Sequence, residues 1–181
     1  MKKIITIIVI ILTFAIYAGK SDASQKWQPK DGENWIEINK EQLRLTLYRG
    51  SISTKTWQIS IGKGKGTDKK SRLDLITPTG AFTIYRVVDD ATKLVYDPAW
   101  FKEPGEPQEG VYGSKLISFY NKWQIAIHGT NNASSIGKWT THGCIRLRNR
   151  DIEELVKDVK PKMKVVIVEK NVKKRFYRET I

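Results

Sequence analysis

The chain has 181 residues, 40% of them hydrophobic and 28% charged, and a formal net charge of +13. That length suits one packed domain, and a single cysteine excludes an internal disulfide framework. The basic excess directs attention to anionic partners, but the lysines are scattered and no nucleic-acid-binding motif is present, so no nucleic acid is expected.

Met1-Lys2-Lys3 is a short basic start, and residues 4–18 are apolar except for Thr6 and Thr13. Ser21-Asp22-Ala23 then places small residues where a signal peptidase reads. The pattern predicts a secretory signal peptide over 1–23, cleaved after Ala23, with an uncleaved N-terminal anchor as the alternative. Either puts the remainder in the periplasm, the cell wall or at the extracellular face. Cleavage removes Lys2, Lys3, Lys20 and Asp22 and lowers the charge from +13 to +11. A chain that basic is expected at anionic cell-wall polymers or a membrane surface.

Residues 24–34 are polar, contain Pro29 and Gly32, and read as a linker. The alternations Trp35-Ile36-Glu37-Ile38, Leu43-Leu45-Leu47 and Trp57-Ile59-Ile61 predict half-buried strands by their period of two. Gly62, Gly64 and Gly66, with Lys63 and Lys65 between them, read as a basic loop rather than strand. Thr77-Pro78-Thr79-Gly80 is a turn before a strand over 81–88. Residues 97–113 hold three prolines and three glycines and predict a long loop, a lid or binding surface whose Trp100, Phe101 and Tyr112 line a cleft. Strands are predicted over 115–119 and 123–128. One helix follows, with Asn149 as N-cap and an apolar stripe of Ile152, Leu155, Val156 and Val159, ended by Pro161. A last strand over 163–168 precedes a basic tail, 170–181. The expected architecture is mainly β, an antiparallel sandwich or barrel over 35–169 with one helix after the motif, and a monomer.

All the cysteine and histidine of the chain falls between His128 and Cys144. A thiol is nucleophilic as thiolate, and a nearby imidazole is the usual means of making one. The strand 125–127 delivers His128 at its end, a loop follows, and Thr141-His142-Gly143-Cys144 returns the chain to the sheet. Gly143 permits close approach of substrate, and its N–H with that of Cys144 offers an oxyanion hole. Such a cysteine is expected to titrate below the ordinary thiol value of about 8.5. Papain-like peptidases place cysteine before histidine, and no histidine follows Cys144. A zinc module built on His128, His142 and Cys144, which needs a fourth ligand or an open site, is the rival from another class, and a non-catalytic wall-binding domain is a third reading.

Ile127-His128-Gly129-Thr130-Asn131, Ser135-Ile136-Gly137 and Thr141-His142-Gly143-Cys144-Ile145-Arg146-Leu147, with Asn149 and Asp151, closely resemble the L,D-transpeptidase catalytic domain of bacterial cell-wall enzymes. The Thr77-Pro78-Thr79-Gly80-Ala81-Phe82 turn is similar too, and the resemblance spans 35–169. It implies Cys144 as nucleophile and His128 as base, oriented through its other nitrogen by the Gly129 carbonyl. It implies that His142 and Gly143 shape the oxyanion side, that Thr141 contacts substrate, that Arg146 holds a substrate carboxylate or the loop itself, and that Trp139 contacts substrate or packs within the loop. The implied reaction is acyl transfer between peptidoglycan stem peptides, giving 3→3 cross-links with loss of a terminal D-alanine. With water as acceptor it becomes L,D-carboxypeptidase activity. No metal or organic cofactor is expected.

Overall fold

The structure, a computed structural model, describes residues 27–170. The signal peptide expected over 1–23 and the tail beyond residue 170 lie outside the described residues. From Trp27 onward the segment read as a linker lies against the sheet. The Trp27 ring meets Trp35 edge-on at 5.4 Å, and Trp35 stacks on Tyr48 at 4.6 Å.

Strands β1 (Asn34–Asn39), β2 (Arg44–Arg49) and β3 (Ile52–Gln58) form an antiparallel meander. Ile36, Ile38, Leu45 and Leu47 enter the core from it, as their alternation requires. β3 is the sheet edge, and all but one of its residues are exposed, including Thr54 and Lys55, which suits a strand that must not recruit a partner. The short β4 (Ile61–Gly62) leads to a loop and a 3-10 turn at Arg72–Asp74, capped reciprocally by Ser71 and Asp74. β5 (Gly80–Val88), β6 (Leu116–Phe119), β7 (Ala126–His128), β8 (Trp139–Thr141) and β9 (Ile145–Arg146) follow, then helix α1 (Asn149–Leu155) and β10 (Lys164–Val168).

The main sheet has eight strands in the order β3-β2-β1-β10-β5-β6-β7-β9. The nine-residue β5 joins its two halves. Gly80–Thr83 pairs with β10, and Ile84–Val88 pairs with β6 across an irregularity between Ile84 and Arg86. Both halves feed one apolar cluster: Ile36, Ile38, Val165 and Ile167 from one side, Ile117, Phe119, Ile127 and Ile145 from the other, with Ile152 and Leu155 of α1 against them.

The mainly β fold with one helix is as expected, but the sheet is mixed rather than wholly antiparallel. β1 pairs β10 in parallel, and β7 pairs β9 in parallel. Parallel neighbours need a crossover connection, which residues 129–144 supply for β7 and β9. Gly62, expected in loop, is in β4, paired in parallel with β8. The strand expected over 123–128 starts only at Ala126, because Gln124 is at φ 58 and the Asn121 carboxamide closes a turn onto both backbone groups of Ile125. The helix ends at Leu155, well before Pro161, although Val159 still packs in the core.

Ile127 and Ile145 have no exposed surface and face each other across the strands that carry the motif. Ile127→Val should cost about 1 kcal/mol and Ile127→Ala about 2–5 kcal/mol, by lost burial plus cavity, measured by denaturant unfolding.

Candidate active site

In the parallel ladder His128 lies opposite Arg146 and Ile127 opposite Ile145. Period two sends the isoleucines into the core and turns His128, Arg146 and, two residues before it, Cys144 to the other face. There they line one cleft of about 340 Å³, together with Thr141, His142, Tyr112 and the aromatic residues Trp100 and Phe101 of the long loop.

His128 is 2% exposed. Its Nδ1 is 2.6 Å from the carbonyl oxygen of Gly129; a carbonyl only accepts, so Nδ1 carries the hydrogen and the lone pair sits on Nε2. The edge of the Tyr112 ring packs at 5.1 Å. Burial, followed by the Arg146 guanidinium, lowers the imidazole to about 4, against weaker opposing hydrogen bonds to the Gly129 and Tyr112 backbone. The imidazole is therefore neutral near pH 7.

Cys144 is half-buried. Burial pushes its thiol up, and a hydrogen bond from the Ala126 backbone and the charges of Arg146 and Lys69 offset this only in part. This corrects the expectation of a depressed thiol. A neutral imidazole supplies no cation to hold a thiolate, so desolvation decides and the resting pair is thiol and imidazole.

Thr141 and Gly143 form an internal bracket. The Thr141 hydroxyl donates to the Cys144 carbonyl at 2.6 Å, and the Gly143 N–H donates back to Thr141 Oγ1 at 3.1 Å. The Gly143 N–H is thus engaged and does not stand free as the oxyanion donor expected of it; the Cys144 N–H is the remaining candidate. Gly143 has φ 129, and a Cβ there would press on the Ile76 carbonyl oxygen at 2.8 Å. The Thr77 hydroxyl donates to the Gly143 carbonyl at 2.7 Å and accepts from Gly62 N at 2.9 Å, so the Thr-Pro-Thr-Gly turn sets the backbone just before Cys144.

His142 is held by the long loop rather than by the thiol. Its Nε2 is 2.8 Å from Glu103 Oε1, its Nδ1 is 3.3 Å from the Tyr96 hydroxyl, and its ring stacks on Phe101 at 4.2 Å. Glu103 also takes Lys63 at 3.3 Å. The zinc trio is not assembled: among the described residues no group of three such side chains lies within metal-holding distance.

Arg146 donates from Nη1 to Ser135 Oγ at 3.0 Å, while its Nε is buried with no hydrogen-bond partner. Trp139 does not line the cleft. It stands on β8, 36% exposed, with Lys40 Nζ over its ring at 5.7 Å. Asn149, expected as a helix cap, is the first residue of α1, and its Oδ1 accepts from Thr130 N at 2.8 Å and Ser114 N at 3.2 Å. It pins the loops flanking His128; a Cβ on Gly113 or Gly129 would collide with it. Lys69 and Arg72 also line the cleft, and nothing in the local pattern of their loop had marked them.

The L,D-transpeptidase catalytic domain model, YkuD, matches residues 33–167. The chain belongs to the YkuD family of L,D-transpeptidase catalytic domains. The YkuD protein of Bacillus licheniformis, whose name places it among the L,D-transpeptidases, is 34% identical over 120 residues, 66% of this chain and 55% of that protein. ErfK/SrfK of Escherichia coli, named in the same way, is 48% identical over 148 residues, 76% of this chain and 45% of that protein. The chain thus spans about half the length of these curated relatives. Among solved structures, the L,D-transpeptidase LdtMt1 in complex with imipenem superposes with a TM-score of 0.57 at 19% identity, covering 75% of this chain and 58% of that one, a likeness of fold.

The His128 environment has a consequence for stability. Its ordinary value of 6.5 falls to about 4 in the folded state, so between those values the unfolded chain binds more protons and stability declines as pH falls through that window. Between pH 7.5 and 4.5 the loss from this group should be about 2–3 kcal/mol. Denaturant unfolding at both pH values should show His128→Gln losing less than the parent by that amount.

Proposed function

We propose that the protein is an exported L,D-transpeptidase that acts on peptidoglycan stem peptides through a Cys144 thioester and forms 3→3 cross-links. The observation that carries this reading is Cys144 in one cleft with a buried histidine whose Nδ1 hydrogen is held by the Gly129 carbonyl, which puts the ring's lone pair on Nε2. Family membership and the basic surface, suited to retention at wall polymers, support it.

The Cys144 thiol passes its proton to His128 Nε2 as sulfur attacks the carbonyl carbon of the third stem residue. The tetrahedral oxyanion collapses, His128 returns the proton to the departing nitrogen, and D-alanine leaves. The amine of a second stem then attacks the thioester, its proton goes to His128, and sulfur leaves as thiol with that proton. A neutral pair can run this cycle in both halves, because proton transfer accompanies attack rather than preceding it.

Two cavities meet at the thiol. The cleft already described and a second of about 580 Å³, past Tyr85, Tyr120 and Leu94, share Trp100, Tyr112, Gln124, Ile125 and Cys144. That geometry suits donor and acceptor stems arriving from two sides. The long loop, tied over the cleft through Glu103 and Phe101, favours transfer over hydrolysis by limiting water at the thioester.

Purified protein given tetrapeptide stems alone should yield cross-linked dimer one D-alanine lighter than two stems, and Cys144→Ala should yield none. Tripeptide without dimer at high donor concentration would show a carboxypeptidase instead. A carbapenem should add one covalent mass equivalent at Cys144, in line with the imipenem complex of LdtMt1.

A further inference from the structure

Lys69 is 3% exposed, far more buried than an ordinary lysine, and it faces the cleft rather than the core. An ammonium has three hydrogens to place. One reaches the Arg72 carbonyl at 3.2 Å, and among the described residues Lys69 makes no ion pair. Asp74 is close enough to act on it through space, but Asp74 Oδ2 is already occupied by the N–H groups of Lys70 at 2.7 Å and Ser71 at 2.8 Å. A buried charge without a counterion is costly, and such groups are normally paired.

The rest of the cleft has the same imbalance. The Arg146 Nε is buried and partnerless, and Arg72 makes only a 3.4 Å contact with Gln124 Oε1. The acidic side chain lining the cleft, Glu103, is spent on Lys63 and His142. Three cations therefore face a space walled by Trp123, Ile125 and Trp100, where an anion would meet few competing waters. Both Lys69 and Arg146 act electrostatically on Cys144, so the charge lies beside the nucleophile.

We infer that Lys69, in the same cleft as the Arg146 to which the family resemblance already gives a substrate carboxylate, forms a carboxylate-binding subsite of its own that seats a free carboxylate of the donor stem near Cys144. The ligand's identity rests on the stem-peptide reading of the cleft; the anion site itself does not. Two carboxylates are available on such a donor: the α-carboxylate of the departing terminal residue, and a side-chain carboxylate on the third residue where that residue carries one.

The test uses Cys144 as its own probe. Iodoacetate and its neutral isostere iodoacetamide alkylate the thiol at pH 7.5, each rate normalised to glutathione. In the parent protein the normalised preference for iodoacetate should be about ten-fold, as expected for one charge-assisted contact. Lys69→Met and Lys69→Gln should bring the ratio close to that of glutathione; the charge lost near the thiol slows both reagents, and the remaining iodoacetamide reaction reports an intact site. A parent ratio equal to glutathione's, or an unchanged ratio in both variants, overturns the subsite. With stems, Lys69→Met should raise KM about ten-fold or more with kcat little changed. Donors with a C-terminal amide, or with lysine as third residue, identify the carboxylate: the form that is no longer sensitive to Lys69→Met has lost the group Lys69 binds. Equal sensitivity in both neutralised donors overturns the assignment. An iodoacetate preference without stem turnover leaves the subsite standing and removes the transpeptidase reading; turnover with a flat ratio does the reverse.

Discussion

The parallel pairing of β7 with β9 is the constraint on which the site depends. It sets His128 opposite Arg146 and leaves Cys144 two residues away on the same face, while Ile127 and Ile145 go to the opposite side with no exposed surface. A slip of one residue in either strand would exchange these sets and bury the histidine's face in the core. The core thus enforces the register that the chemistry requires. Asn149 reinforces it from outside the sheet by tying the backbone at Ser114, just before β6, to that at Thr130, just after the histidine strand.

The same burial decides the protonation states. The proximity of an imidazole to a thiol suggests a thiolate–imidazolium pair, but that pair needs an environment that favours charge. Here the histidine is enclosed, faces the Arg146 cation, and has only a carbonyl at Nδ1 in place of a carboxylate. Desolvation outweighs the hydrogen bonds for His128 and for Cys144 alike, so the two are displaced in opposite directions and both rest neutral. A thiolate would then form only as the thiol attacks, which keeps the resting thiol less reactive.

What the sequence made legible was the local part. The half-buried strands, the turn at Thr77–Gly80 and the Nδ1 contact of His128 with Gly129 all follow from short-range patterns or from a motif. What it concealed depends on distant partners. Nothing in residues 164–168 reveals that they will lie parallel to β1, because strand choice is made across the whole chain. Asn149 looked like a cap because caps are local; its carboxamide is used 19 and 35 residues away. The family resemblance left Trp139 between substrate contact and loop packing, and the structure puts it in β8, paired with β4, on Lys40. Lys69 gave no signal, since burial of a lysine in a polar loop cannot be read from its neighbours.

The long loop is held over the cleft by Glu103 and by aromatic contacts on His142. Glu103 joins three segments: its own long loop, Lys63 of the glycine-rich loop, and His142 of the motif. Glu103 and Lys63 are more than one-third exposed, and ion pairs of that kind contribute about 0–1 kcal/mol. The Phe101–His142 stack at 4.2 Å adds about 0.5–1.5 kcal/mol beyond its buried area. A lid held by so little can open readily, whereas the strands beneath it are fixed by a core of fully buried isoleucines. That division sets Cys144 and His128 on fixed strands beneath a loosely held loop. The rigidity belongs to the β7–β9 ladder, and the access belongs to the loop that His142 anchors.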